Sequence, residues 1–341
     1  MSEPANLFTQ QEVNRRRSRQ LVAGFILFFA WLGFGGDGLA YYATRHAPVG
    51  HYHYAFPWLG IILTAIGIGI ARYAWNTGPD KVLWSTGARE ITVPATPAER
   101  QLLDVVQEMA IAAGIPTPRV YVVDDADPNA FATGHDEQHA SIAVTSALLT
   151  VCSRDELQAV VAHEMGHIRN LDVRLMTLLA ALVGAVALIN NGLGRVIFRS
   201  GGGSFSRSRE SKSDLGPVFF IILALWIVSW ILAPIVTQLM ALGVSRDREY
   251  LADSMSAQFT RNPMALASAL QKIEENQAPS SVIKGGAAHL CIDDPLDRGS
   301  SDKEGFLADV LGTHPPIATR IARLKAMGYQ EQKAAGTFVP A

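Results

Sequence analysis

Two long apolar stretches near the N-terminus limit how this chain can fold more than any other feature. Residues 21–43 and 57–75 each contain one charged residue, and each is close to the roughly 20 residues that a helix needs to cross a bilayer. The apolar share of the whole chain, 49%, is also high for a soluble protein. We therefore predict a transmembrane hairpin over residues 20–75, which attaches the protein to a lipid bilayer.

The charges around this hairpin predict its orientation. Residues 1–19 end in a cluster of arginines, whereas the loop over residues 44–56 contains Arg45 as its one Lys or Arg. Because cytoplasmic loops carry the excess of Lys and Arg, we expect residues 1–19 to form a basic cytoplasmic tail in the cytoplasmic (inner) membrane. A cleaved signal peptide is the alternative, but the first stretch is long and residues 37–40 (DGLA) are a poor cleavage site.

Two further apolar runs occur later in the chain. One starts at Leu175 and is interrupted by Asn190 after about 15 residues, which is short of a full span. The other, residues 217–242, is long enough to cross a membrane, and a flexible loop rich in Gly and Ser over residues 199–216 separates the two. We therefore predict a second apolar hairpin over residues 175–243, and up to four transmembrane helices in all.

The segments outside the apolar runs contain strand and helix patterns. Residues 119–123 and 141–145 are short β-branched runs bounded by turn residues, which is typical of strands. Residues 127–134 between them are either another strand or an extended loop. Amphipathic patterns with capping residues predict helices around these runs. The predicted fold class is an α+β integral membrane protein with a small β-sheet in a helix-rich domain.

One predicted helix contains residues that could bind a metal and act in catalysis. It starts at Ser153 with a predicted capping box, and it contains the motif His163-Glu164-Met-Gly-His167. Histidines four residues apart project from one face of a helix. Two such imidazoles can bind one Zn²⁺, while the glutamate between them reaches the position of the bound water as a general base. The alternative is a helix whose histidines have no role in metal binding.

A catalytic zinc site needs a third protein ligand and leaves one position open for water. The extended metzincin motif would supply a histidine at position 173, but Val173 stands there. A glutamate on a separate helix is the other solution, and Glu249 and Asp253 are four residues apart, so both can face one site. One of them would bind zinc and the other would orient a ligand histidine. A solvated first helical turn is the alternative interpretation.

Four segments resemble the motifs of a known family. These segments are residues 129–134 (NAFATG), 163–167 (HEMGH), 246–253 (RDREYLAD) and 313–316 (THPP). Together they are similar to the motif set of HtpX-type membrane zinc metalloproteases, which are relatives of the CAAX prenyl proteases. The resemblance extends over about residues 76–328, and the long arginine-bearing loop near residues 199–212 is a departure from the family pattern.

The resemblance implies a zincin-like endopeptidase of the gluzincin type, with one Zn²⁺ per chain. It implies that His163, His167 and Glu249 are the metal ligands. Glu164 would be the catalytic base, and Asp253 would hold one of the ligand histidines. A metalloendopeptidase with this arrangement hydrolyses peptide bonds by metal-assisted attack of water.

The same resemblance implies roles for residues outside the metal site. His314 would donate a hydrogen bond to the tetrahedral intermediate. An exposed edge strand would bind the backbone of unfolded or membrane protein substrates, and its members would be Asn129, Ala130, Phe131 and Ala132. Proteases of this family act on damaged or surplus membrane proteins, so we expect a role in protein quality control.

We expect the catalytic domain to consist of two parts that both face the cytoplasm. The first part, residues 76–174, contains the helix with both histidines. The second part, residues 244–330, contains the third zinc ligand, and a C-terminal tail follows over residues 331–341. The second apolar hairpin separates the two parts along the chain.

The remaining features weigh against other classes of function. The net charge is −2 and no basic face is evident, so nucleic-acid binding is not expected. The two cysteines, Cys152 and Cys291, form neither a metal motif nor a disulfide framework. A membrane scaffold or transport-associated protein with structural zinc is the rival interpretation, but a structural site tends to be closed by four protein ligands. The sequence does not predict an oligomeric state.

Overall fold

The structure is a computed structural model, which describes residues 7–45, 53–182, 224, 247–280, 282–283, 285–293, 295 and 315–334. The chain divides into two compact units. One unit, here called the sheet unit, comprises residues 1–18, 77–181 and 240–341, and the other, the hairpin unit, comprises residues 19–76 and 182–239. His314, the loop over residues 199–216 and nearly all of the predicted second hairpin beyond residue 182 lie outside the described residues.

Two long helices are α1 (Leu7–Thr44) and α2 (Trp58–Ser85). Residues 19–44 of α1 and 58–76 of α2 make up most of the described part of the hairpin unit. Residues Gln11–Thr44 and Trp58–Ser85 are long and apolar enough to cross a membrane. Large apolar side chains such as Leu27 and Ile62 are exposed on these helices, as expected for side chains that face lipid. The helices lie where the sequence predicts the first transmembrane hairpin.

Asp37 is the one charged residue of the first apolar stretch, and the start of α2 accounts for its burial. Its carboxylate accepts hydrogen bonds from the backbone N–H groups of Leu59 (3.1 Å) and Gly60 (2.6 Å), and from the hydroxyl of Tyr54. The first N–H groups of a helix have no partner within that helix, so Asp37 caps α2. A charge within an apolar stretch can mark a transport pathway, but the charge of Asp37 has a structural role.

A four-stranded mixed sheet forms one side of the sheet unit. Its strands are β1 (Arg89–Glu90), β2 (Arg119–Val123), β3 (Ala130–Thr133) and β4 (Ser141–Thr145), and their order across the sheet is β1-β2-β4-β3. Strands β2 and β4 are parallel, and the two outer strands are antiparallel to their neighbours. The predicted strands over residues 119–123 and 141–145 are confirmed, and part of the segment over residues 127–134, which the sequence left open, is the edge strand β3.

Helices cover the sheet and bring the two parts of the sheet unit together. They are α3 (Pro97–Ala113), α4 (Ser146–Val151), α5 (Arg154–Arg169), α6 (Asp247–Thr260), α7 (Pro263–Glu275) and α8 (Ile317–Ala334). Residues 172–182 are also helical, and short 3₁₀ turns occur at Glu137–His139 and Gly285–Leu290.

Helix α5 occupies the centre of the sheet unit. It starts with the predicted capping box, in which the Ser153 hydroxyl accepts from the Glu156 N–H and the Glu156 carboxylate accepts from the Ser153 N–H. It packs against α3, α6, α7 and β3. Leu157, Ala159, Ala162 and Met165 point in different directions around the helix, and all four are almost completely buried. The predicted motif therefore lies in the interior of the protein.

Candidate metal centre

Helices α5 and α6 bring three metal-binding side chains to one point. The Nε2 atoms of His163 and His167 are 3.2 Å apart on successive turns of α5. Glu249 on α6 places Oε2 3.6 Å from His163 Nε2 and Oε1 3.5 Å from His167 Nε2. Donor atoms about 2 Å from a zinc ion in tetrahedral geometry lie a little over 3 Å from one another. Two imidazoles and one carboxylate at this spacing fit a metal site.

The first histidine is enclosed by a pair of buried charges. His163 has no exposed surface, and its Nδ1 atom lies 3.0 Å from Asp253 Oδ1. Arg320 on α8 is also fully buried and donates to both oxygens of Asp253, at 3.0 and 2.7 Å. Burial alone would raise the pKa of Asp253. The Arg320 charge and the His163 hydrogen bond have a larger effect in the opposite direction and lower this pKa to about 2. Asp253 therefore stays charged and fixes the orientation of the His163 ring.

The second histidine has a carboxylate partner of its own. Asp172 Oδ2 lies 3.1 Å from His167 Nδ1, so the opposite ring nitrogen of His167 points toward Glu249. Arg248 of α6 approaches Asp172 at 4.0 Å. Both histidines thus have one nitrogen held by a carboxylate and the other directed at the centre, which is the usual arrangement for histidines that bind a metal.

Glu164 lies beside this centre in an enclosed position. Its side chain is 1% exposed, and its Oε1 atom has no hydrogen-bond partner among the described residues. Burial raises the pKa of Glu164, and the neighbouring His163 and His167 offset part of that effect. The carboxyl lines a pocket together with His167, Glu249 and Ala132, so a molecule in the pocket can reach it.

Comparisons with known proteins identify the family. A family model described as Peptidase family M48 matches residues 97–328. A "Protease HtpX homolog" from Streptococcus gordonii is 36% identical over 321 residues, which is 94% of this chain and 100% of that relative. A "Protease HtpX homolog" from Tropheryma whipplei (strain Twist) is 40% identical over 314 residues, which is 92% of this chain and 98% of that relative. The chain belongs to peptidase family M48.

As a member of family M48, the protein is a membrane-bound metalloprotease that acts on peptides or proteins. The predicted resemblance to HtpX-type proteases and the predicted peptidase activity are confirmed. The solved structure described as "Crystal Structure of S. mikatae Ste24p" is 18% identical, with a TM-score of 0.43, over 94% of this chain and 66% of that one.

The proposed substrate strand of this M48 protein differs from the sequence prediction in its exposure. β3 lies at the edge of the sheet, but the prediction that it is exposed is wrong, since Asn129, Ala130 and Phe131 have no exposed surface and Ala132 has 3%. Residues 285–293 return to this edge. The Ile292 N–H donates to the Ala130 carbonyl at 2.9 Å, and Phe131 forms a bridge with Cys291. The local sequence around β3 does not indicate that residues 291–292 pair with it.

Three residues near the centre were missed in the sequence. Asp172 follows His167 by five positions and lies beyond the turn at residues 170–171, so the helical spacing of α5 no longer predicts its direction. Arg320 lies on the same buried face of α8 as Leu324. A charged residue that interrupts an apolar helix face is the sequence pattern that could have indicated its buried role. His289 lines the same pocket as Glu164 and Glu249, and its sequence context gave no indication of this.

Proposed function

We propose that this M48 protein is a zinc-dependent endopeptidase of the cytoplasmic membrane that hydrolyses peptide bonds in misfolded or surplus membrane proteins, as part of protein quality control. The observation that carries the proposal is the convergence of His163, His167 and Glu249 next to the buried carboxyl of Glu164. Two imidazole nitrogens and one carboxylate oxygen are a donor set used by catalytic zinc sites in proteases.

We assign His163, His167 and Glu249 as the ligands that would hold the metal. When bound, zinc supplies Lewis acidity, polarising the scissile carbonyl and lowering the pKa of water to near 7. The contribution of the chain is to present three donors at fixed spacing. Asp253 supports this by holding His163 Nδ1, which leaves Nε2 available to the metal.

Glu164 is the proposed catalytic base. It would take the proton of the attacking water and pass it to the leaving amine. A buried carboxyl with a raised pKa suits this role, because the group must both accept and release a proton near neutral pH. His314, outside the described residues, is the proposed hydrogen-bond donor to the developing oxyanion, and this assignment depends on the resemblance of residues 313–316 to the family motif.

The proposed orientation places the catalytic domain in the cytoplasm. Exposed arginines on α1, among them Arg16 and Arg17, immediately precede the apolar part of that helix, and such clusters mark the cytoplasmic side. Substrates would then be unfolded segments of membrane proteins or unfolded proteins near the lipid bilayer.

The substrate backbone is proposed to pair with β3, as expected from the family motif. Because residues 290–292 lie along that edge in the structure, such pairing requires this segment to move aside. Asn129 is part of the same contact, since its Nδ2 atom donates to the Asp293 carbonyl at 2.7 Å. Asn129, Ala130, Phe131 and Ala132 are therefore proposed substrate contacts of an opened form.

Hydrolysis of an unfolded protein by the zinc-loaded, detergent-purified chain tests the proposal. Glu164→Gln keeps the side-chain shape but removes the base, so turnover should fall by about 10² or more while zinc stays bound. His163→Ala should lose zinc and activity together. Glu275→Gln, the same change at an exposed position of α7, is the matched control.

Near-normal turnover by Glu164→Gln would exclude this mechanism. The same assay examines the substrate strand through Ala132→Pro, which removes a backbone donor from β3. If this variant folds and cleaves the unfolded protein at the parental rate, β3 is not part of the substrate groove.

A further inference from the structure

The N-terminal part of α1 contacts the far end of the helix that carries both histidines. The last carbonyl groups of a helix have no partner within that helix. Here Gln11 Nε2 donates to the Arg169 carbonyl at 2.6 Å, and Asn14 Nδ2 donates to the Asn170 carbonyl at 2.9 Å. These residues are separated by more than 150 positions in sequence, so α1 supplies the end of α5 with partners that its own neighbourhood lacks.

The turn at this end of α5 has an unusual backbone. Leu171 has a φ of 59°, in the left-handed region that residues other than glycine rarely adopt. A conformation of this kind persists when surrounding contacts hold it. The contacts from α1 lie at the two residues immediately before Leu171, and the residue immediately after it is Asp172.

Asp172 divides its two oxygens between the metal centre and α1. Its Oδ2 atom lies 3.1 Å from His167 Nδ1, whereas its Oδ1 atom accepts a 2.6 Å hydrogen bond from Asn14 Nδ2. Asn14 is fully buried. Its amide nitrogen has two hydrogens and faces two acceptors, Asp172 Oδ1 and the Asn170 carbonyl, which assigns the orientation of the amide.

We propose that Asn14 is a positioning residue for the metal ligand His167. The amide of Asn14 holds Asp172 in place, and Asp172 in turn orients the imidazole so that Nε2 faces His163 and Glu249. The metal site of this protease would then depend on the helix that begins the chain, just before its first apolar stretch. This inference rests on the proposed role of His167 as a metal ligand.

Zinc affinity of the full-length protein in detergent, measured by competition with a chelator, tests the proposal. Asn14→Leu keeps the approximate volume but removes the donor, and zinc should bind about tenfold more weakly, at the low end of the range for partners of metal-bound histidines. Ser18→Ala is the matched control. Ser18 is buried one turn further along α1, and its hydroxyl bonds to the Asn14 carbonyl within the same helix.

A change in ligand geometry gives a second readout that loss of stability does not mimic. The visible absorption spectrum of the Co²⁺-loaded protein should change in Asn14→Leu and remain parental in Ser18→Ala. For the zinc-loaded enzyme, kcat should fall while KM for an unfolded substrate stays the same, because β3, the proposed substrate strand, is unaltered.

An exchange of donor and acceptor keeps the test informative if Asn14→Leu fails to fold. Asn14→Asp places two carboxylates against each other and should bind zinc weakly. The double variant Asn14→Asp/Asp172→Asn restores a hydrogen bond of reversed polarity, with an oxygen still facing His167, and should recover part of the affinity.

Two outcomes overturn the inference. One is parental zinc affinity and a parental Co²⁺ spectrum in Asn14→Leu. The other is a double variant that binds zinc no more tightly than Asn14→Asp. Failure of the proposed metal site is distinguishable from both, because in that case His163→Ala would retain zinc as tightly as the parent protein.

Discussion

The two proposed ligand histidines lie one turn apart on α5 and face the same point, yet the protein supports them in different ways. On the His163 side, every member is buried and charges are balanced against one another. Asp253 holds the imidazole, and Arg320 donates twice to Asp253 and once to the Ile292 carbonyl, at 3.0 Å. Ile292 lines the pocket, whereas the buried side chains of His163, Asp253 and Arg320 are not among its lining residues.

The His167 side is more open and depends less on charge. The His167 side chain is 13% exposed and lines the pocket. Its carboxylate partner, Asp172, receives its short hydrogen bond from the neutral amide of Asn14. Arg248 is buried nearby, but its closest approach to Asp172 is 4.0 Å, and its Nε and Nη1 atoms have no hydrogen-bond partner among the described residues.

The buried His163 side is the more rigidly held, and the His167 side is the more accessible from the pocket. A buried carboxylate with a bonded guanidinium is costly to disturb, since removal of either member leaves an uncompensated charge in the interior. A carboxylate held by an amide loses one hydrogen bond when that amide is removed. His163 is thus oriented by a carboxylate that a buried guanidinium holds. His167 is oriented by a carboxylate that accepts from the N-terminal part of α1.

The two buried arginines give the largest expected contrast. In Arg320→Met, Asp253 would stay buried without its partner, so the free energy of unfolding of the zinc-free protein should fall by about 3–5 kcal/mol. Arg248→Met removes a cation with fewer hydrogen bonds, and the loss should be about 1 kcal/mol or less. Chemical unfolding of both variants in the same detergent measures the contrast. Equal losses would show that the two sides do not differ in charge balance.

The two carboxylates should differ in their effect on the metal. Asp253→Asn removes the closer of the two carboxylates near Arg320, the other being Glu249 at 3.8 Å, and should weaken zinc binding by about 10- to 100-fold. Asp172→Asn still offers an oxygen to His167, so its loss should lie near about tenfold. Zinc titration of the purified variants tests the order. A larger loss for Asp172→Asn would reverse the comparison and make the pocket side the more demanding one.

A carboxylate at the start of α5 provides the smallest effect on the site. Lys272, Ser268 and Ser153 donate to Glu156 and, against the raising effect of burial, lower its pKa to about 2. Because this pKa is below the ordinary value of 4.5, Glu156 stabilises the fold above about pH 4.5, and the contribution disappears as the pH falls toward about 2.

Glu156→Gln should therefore reduce stability at pH 7 by about 1 kcal/mol and flatten the dependence on pH between those two values. Zinc affinity should stay parental, because Glu156 lies two turns before His163. Thermal unfolding at several pH values, compared with the parent, measures the first effect. Weakened zinc binding in this variant would mean that the whole of α5, and not its two local supports, sets the geometry of the site.

Several features of this protein were predictable from local pattern. The capping box at Ser153 and the i, i+4 spacing of His163 and His167 depend on contacts within one or two helical turns. Strands β2 and β4 were predictable for a similar reason, since β-branched runs bounded by turn residues favour strands wherever they occur. The apolar lengths of α1 and α2 follow from the thickness of a bilayer.

Other features depend on pairs of residues that are far apart in sequence. The motif spacing made Glu249 and Asp253 candidates, but only the packing of α6 on α5 brings Glu249 within 3.6 Å of His163. The family resemblance predicted an edge strand at β3, yet residues 285–293 return to this edge and bury it. A local pattern records which face of an element is apolar, and it does not record which distant element covers that face.

The side chains that orient the two histidines of the candidate metal centre show the same limit most clearly. Arg320 is 67 residues from Asp253, and Asn14 is 158 residues from Asp172. A charged or amide side chain on a helix has the same sequence signature whether it faces water or a buried partner. The sequence therefore determines the helix that carries the two histidines, whereas tertiary packing determines the partners that orient each of them, because those hydrogen bonds join elements with no periodic relation along the chain.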